Sequence, residues 1–171
     1  MATQTMPDRT QIAVGRVEGI FIAPAAAAPM IALERTRVVA GRGLERDRYF
    51  DGRGYYSRVP PLTGRRLTLI EAESLEAMER ETGIALAPSE CRRNLVTRGI
   101  RLDELIGKRF CIGGIECYGE RPCPPCGYVE GLTGKPGLNR AMTDRGGIRA
   151  EILLDGEIIL GDVIDLSSIV P

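Results

Sequence analysis

The stretch GIRAEILLDGEIILGDVIDL, residues 147–166, decides how the rest of the chain is read. Short apolar runs are broken at Asp155-Gly156 and again at Gly161-Asp162, so the pattern predicts three strands joined by tight turns, a meander. Upstream, RFCIGGIECYG (109–119) sets two apolar runs on either side of Gly113-Gly114, a hairpin signal of the same kind. Further strands are read in IAVGRVEGIFIA (12–23), IALERTRVVA (31–40), RLTLI (66–70) and RRNLVT (92–97). One segment has a helical period. In EAESLEAMERETG (71–83), Ala72, Leu75 and Met78 fall on one face and Gly83 can stop the helix. LDELIG (102–107) is read as a single helical turn ending at Gly107.

Many short strands, 21 glycines to turn them and a single clear helix point to a mainly β (α+β) fold. Closing such a sheet on itself removes exposed edges, so the expected architecture is a closed or partly closed β-barrel of mixed strands with a few short packed helices. Residues 1–11 are polar without a period and read as a flexible tail; 12–171 reads as one domain, with no internal repeat or linker. The Ala/Pro run at 24–29 and the Gly- and charge-rich GRGLERDRYFDGRGYYSR (41–58) are expected loops, the second long enough to carry function.

Composition narrows the chemistry. A chain of 171 residues can bury about 70% of its unfolded surface and needs no disulfide staples. Five cysteines, an odd number, fit a reducing compartment, and no segment resembles a signal peptide or a membrane span, so a cytoplasmic protein is expected. Lys+Arg and Asp+Glu balance at 23 each, which favours neither nucleic acid nor an anionic membrane as partner. There is no histidine, which excludes Ser-His-Asp catalysis and His-rich zinc sites. A metal would need sulfur or oxygen ligands from the protein, or would arrive already chelated by an organic cofactor.

Two clusters remain. GERPCPPCGYVEGLTGK (119–135) holds Cys123 and Cys126 around two prolines, with Arg121 just ahead. This spacing serves redox thiols, half a zinc site or a sulfur-transfer loop. The redox reading lacks the surrounding strand-helix-strand pattern, and a closed zinc site needs four ligands. Cys111 and Cys117, at even separation on predicted hairpin strands, are expected to point to one side and line the core, and Cys91 has no assigned role. The GLTGKPG segment is not a phosphate loop, because Val129 stands where the first glycine is needed and Pro136 where the magnesium-binding hydroxyl would be. In CRRNLVTRG (91–99), strand alternation puts Arg92 and Asn94 on one face, where a guanidinium beside a carboxamide suits an anionic heterocycle. A solvated strand edge is the competing reading. The glycine pair in DRGGIRAEIL indicates a turn or a close backbone approach.

Taken in order, GRGLERDRYFDGRG, LTLIEAESLEAM, RRNLVTRGIRLDELIGKRFCIGGIECYG, RPCPPC and RGGIRAEILLDGEIILGD resemble the MOSC family, named for the C-terminal domain of molybdenum cofactor sulfurase, over about residues 14–168. The resemblance implies a β-barrel that binds the molybdenum cofactor (molybdopterin type) or carries sulfur for metal-sulfur centres. It puts the metal ligand or persulfide on Cys123, with Cys126 as a second or resolving thiol and so both as catalytic candidates. It puts cofactor binding on Arg92 and Asn94; the nearby Arg65 and Arg121 are read as further cofactor-binding candidates whose positive charge favours the Cys123 thiolate. The implied partners are a cysteine desulfurase or an electron-donor protein, and a small-molecule substrate such as an N-hydroxylated compound; pyridoxal phosphate binding is a family-level association. Asp144 stands where the resemblance expects a histidine, and the loop at 41–65 or another chain must supply the pocket wall that larger relatives build from a second barrel. The alternative is a non-catalytic barrel adaptor with structural or zinc-binding cysteines.

Overall fold

Leu67, Thr68, Leu69 and Ile70 are all buried, because both faces of this strand are covered. Leu67 and Leu69 point into a barrel, while Ile70 meets the helix that follows. The computed structural model describes residues 14–61 and 63–166; the expected tail at 1–11 lies outside them. Its strands are β1 (Gly15–Ile22), β2 (Ile31–Leu33), β3 (Arg35–Val39), β4 (Gly43–Leu44), β5 (Leu67–Glu71), β6 (Leu95–Arg98), β7 (Arg109–Ile112), β8 (Ile115–Pro122), β9 (Ile148–Ile152), β10 (Gly156–Ile159) and β11 (Val163–Asp165). The helices are α1 (Ala72–Thr82), α2 (Gly127–Thr133) and α3 (Leu138–Ala141), with a 3-10 turn at Leu102–Leu105.

Seven strands run β11-β7-β8-β9-β5-β6-β1, and β1 returns to β11 through Gly15 opposite Ile164 and Arg16 opposite Val163. The result is a closed mixed barrel. β5 and β6 are parallel, as a strand-helix-strand connection through α1 requires; the other pairings between these strands are antiparallel. β2 extends the far end of β1, and β10-β3-β4 form a separate small sheet. The barrel interior is filled by Val17, Ile20, Leu69, Leu95, Phe110, Ile148 and Ile164 among others. A second apolar cluster lies outside the wall, where Leu75 and Met78 of α1, Val129 of α2 and Leu138 of α3 pack against Ile70 and Val96. α1 ends as its sequence predicts, with Gly83 at φ 73° donating to the Glu79 carbonyl.

The structure revises several expectations. Residues 147–166 do form three strands, but not a meander. β9 has β5 and β8 on its two edges and β11 has β1 and β7, so barrel closure leaves no edge for β10, which pairs with β3 instead. The single strand expected at 31–40 breaks at Glu34 into β2 and β3, which serve different sheets. RRNLVT is strand only from Leu95, because Arg92 adopts a left-handed φ of 63°. Cys111 and Cys117 do not share a face. Across the Gly113-Gly114 turn Cys117 stands opposite Phe110 in the core, while Cys111 stands opposite Glu116 on the other side. Burial pushes both thiols up.

Candidate functional site

β8 ends at Pro122 and the chain enters the Cys123–Cys126 loop before α2. Two segments hold this loop against the barrel. Cys123 donates its N–H to the Gly147 carbonyl at 2.8 Å, and a Cβ on Gly146 would collide with the Cys123 carbonyl. The glycine pair is therefore required for close approach, as the sequence suggests. Gly147, at φ 81°, likewise has no room for a side chain against the Leu69 carbonyl. The second clamp is Arg93, which is buried and donates to the carbonyls of Gly146 (2.8 Å), Cys91 (3.1 Å) and Cys123 (3.4 Å).

Cys123 and Cys126 line a cavity of about 250 Å³ whose wall also holds Arg48, Arg65, Arg92, Arg93 and Arg149. Among the described residues no carboxylate lines it. Asp47 stands close behind, 1% exposed and 3.1 Å from Arg48, where it also accepts the Ala23 N–H at 3.0 Å. Arg48 in turn reaches the Arg92 carbonyl at 3.2 Å. Several donors are buried without a partner among the described residues: Nε and Nη2 of Arg92, Nε of Arg65, Nε of Arg149 and the Tyr128 hydroxyl. An unpaired buried donor is costly, and four such side chains around one cavity suit an anion with several acceptor oxygens. The electrostatics agree. Burial pushes the Arg65 and Arg92 guanidinium groups down, and neighbouring cations, Arg149 for Arg65 and Arg48 for Arg92, add to it.

Cys123 is 5% exposed and also borders a larger cavity of about 660 Å³, bounded by Glu73, Ala77 and Glu81 of α1 and by Asp144–Gly147. Asp144, at φ 60°, lines this larger cavity and not the arginine one. Cys126 is half-buried and lies beside Tyr56. Burial, then a hydrogen bond with Cys126, pushes the Tyr56 phenol up to about 12. Tyr55 stacks on Tyr128 with ring centroids 4.3 Å apart, so the 41–66 loop meets α2 beside the arginine cavity.

The expected residues are thus partly assembled. Arg65, Arg92, Cys123 and Cys126 meet at one cavity. Asn94 does not line it: its carbonyl accepts from the N–H (3.2 Å) and Oγ1 (3.1 Å) of Thr68, and its amide donates to the Phe21 carbonyl (3.2 Å). The left-handed turn at Arg92 breaks the alternation that would have set Arg92 and Asn94 side by side. Arg121 also lies outside, bound to Glu120 (2.9 Å) and the Thr63 carbonyl (3.0 Å). Its β9 neighbour in the register, Arg149, lines the cavity instead. Cys91 is fully buried, donates to the Pro88 carbonyl at 3.0 Å and is pushed up by burial, as an inert core thiol would be. Sequence reasoning missed Arg48, Arg93, Arg149, Tyr56 and Tyr128, and only the charge of the 41–58 loop hinted at one of them. Among the described residues no group of three or more Cys, Asp or Glu is arranged to hold a metal ion, so Cys123 would be a single protein ligand to a metal brought with its own donors.

The MOSC domain family model matches residues 56–165, more than half of the chain. The chain belongs to the MOSC domain family. The match spans every cavity residue named above except Arg48. Solved structures share the MOSC chain's fold at low identity. YuaD from Bacillus subtilis is 18% identical with a TM-score of 0.74, the alignment covering 88% of this chain and 94% of that one. YiiM from Geobacillus stearothermophilus is 15% identical with a TM-score of 0.65, covering 90% and 75%. YiiM from Escherichia coli is 19% identical with a TM-score of 0.63, covering 91% and 71%. A search of curated proteins returns no match to this MOSC sequence. Among the described residues, no helix of the MOSC domain is long and apolar enough to cross a membrane.

Proposed function

We propose that this MOSC domain binds a pterin-type molybdenum cofactor in the arginine cavity, with Cys123 as the protein's thiolate at the metal. The observation that carries this reading is the set of unpartnered buried donors on Arg65, Arg92 and Arg149 in the cavity that Cys123 lines. The donor set fits the group: guanidinium groups for its phosphate and one soft sulfur for a metal whose other soft ligands come from the pterin dithiolene. Arg65, Arg92 and Arg149 bind and orient the anionic part. Arg93 and Gly146 fix the Cys123 loop, and Asn94 ties Thr68 to Phe21 behind the cavity, a positioning role in place of the contact expected from sequence. When bound, the cofactor supplies metal-centred two-electron redox chemistry. An electron-donor protein and a small-molecule substrate, such as an N-hydroxylated compound, complete this reading.

The half-buried Cys126 thiol beside the Cys123 loop favours a second reading, a sulfur carrier in which Cys123 receives persulfide sulfur from a cysteine desulfurase. The deciding experiment is molybdenum and pterin analysis of the full chain produced in a host that makes the cofactor. Molybdenum and pterin should be retained together, and Arg92→Ala and Cys123→Ser should each weaken retention about tenfold or more, the expected loss for a charge-assisted contact in a buried site. Full-length folded protein from that host with neither metal nor pterin would end the cofactor reading.

A further inference from the structure

The donors that fit a cofactor phosphate in the arginine cavity fit a small free oxyanion as well. Its unpartnered donors come from four separate parts of the fold: Arg65 ahead of β5, Arg92 ahead of β6, Arg149 on β9 and Tyr128 on α2. Donors arriving from several sides suit a compact tetrahedral oxyanion, whose acceptor oxygens also point in several directions. Arg65 and Arg92 are more than nine-tenths buried, so these donors belong to a built site and not to a surface patch. The cavity, at about 250 Å³, has room for such an anion beside Cys123, and among the described residues no carboxylate in its lining opposes one.

We propose that, when free of pterin, this cavity binds a sulfane-sulfur oxyanion of the thiosulfate type and that Cys123 removes its outer sulfur. The Cys123 thiolate attacks the outer sulfur of thiosulfate and a new Sγ–S bond forms. The S–S bond of thiosulfate breaks and its electron pair leaves with sulfite. The products are a Cys123 persulfide and one sulfite, with atoms and charge balanced and no outside oxidant or reductant. The guanidinium groups hold the oxyanion end and stabilise the charge that grows on the departing sulfite. Arg93 presents the thiol through the Cys123 carbonyl. This gives the sulfur-carrier reading an inorganic donor in place of a desulfurase.

The test uses the full chain from a host that cannot make the pterin, so its failure leaves the cofactor reading standing, and failure of the cofactor reading leaves this one standing. Incubation with thiosulfate should release one sulfite per chain, add one sulfur atom to Cys123 by peptide mass spectrometry, and give catalytic thiocyanate formation when cyanide is supplied as acceptor. Sulfate should inhibit competitively. Arg149→Ala should raise the KM for thiosulfate at least tenfold with its circular dichroism unchanged, and Cys123→Ser should abolish sulfite release. Wild-type protein that releases no sulfite, carries the sulfur on another cysteine, or is insensitive to sulfate would overturn the proposal, whatever the variants do.

Discussion

A methyl group on Gly146 would fall on the carbonyl of Cys123, the same carbonyl that Arg93 holds, so Gly146→Ala must displace the thiol loop from the segment that supports it. The expected stability cost is about 1–3 kcal/mol, the range for overpacking a tight site. A functional cost is expected beside it: loading of Cys123 with sulfur or cofactor should fall several-fold even where thermal unfolding shows a folded protein. Tyr56 offers a second check. Its phenol is pushed up to about 12 by burial and by Cys126, from an ordinary value of 10.0. The folded state thus holds the phenolic proton more tightly than the unfolded state, so the stability linked to it is fully present below pH 10.0 and is lost as pH rises toward about 12. Ultraviolet titration should show a late phenolate step that Tyr56→Phe removes and that Cys126→Ser shifts to lower pH.

At the scale of elements, β5-α1-β6 was readable from the chain because its information is local. Ala72, Leu75 and Met78 repeat at the helical period, Gly83 stops the helix, and all three apolar residues are buried where the period puts them. The stretch 92–94 was not readable in the same way. Alternation assumes extended backbone, and the left-handed Arg92 sends its own guanidinium to the cavity while Asn94 turns to Thr68 and Phe21. The segments around α2 carry a pH dependence. Glu90, in the loop after α1, accepts from Lys135 Nζ at 2.6 Å and from the Ala87 N–H at 2.8 Å, and Lys135 first, then Ala87, hold its carboxyl below the usual range. A depressed carboxyl stabilises the fold above its unfolded pKa, and that contribution disappears as pH falls through the folded value. The pair is partly solvated, so Glu90→Gln should cost less than about 1 kcal/mol at neutral pH and leave stability less sensitive to acid, as urea melts across the carboxylate range would record.

The whole molecule depends on the pairing of Gly15 and Arg16 with Ile164 and Val163, which joins the start of the described chain to its end and seals the barrel around Phe110. Phe110 is fully buried at the centre of that core, and Phe110→Ala should cost about 3–5 kcal/mol by chemical denaturation. Closure also explains why β10 leaves its sequence neighbours, since no barrel edge remains for it. The amino-acid sequence by itself determined the strand-rich composition, the glycine-marked turns, the α1 face and the presence of a paired-cysteine loop, because these depend on residues within a few positions of one another. Its motif order was also enough to suggest the family. Only the tertiary structure decided which charges converge: Arg48, Arg65, Arg92, Arg93 and Arg149 come from segments up to about a hundred residues apart, while Arg121, next to the cysteines in sequence, turns away. Strand pairing, not proximity along the chain, sets that outcome, and pairing is a property of the closed barrel as a whole.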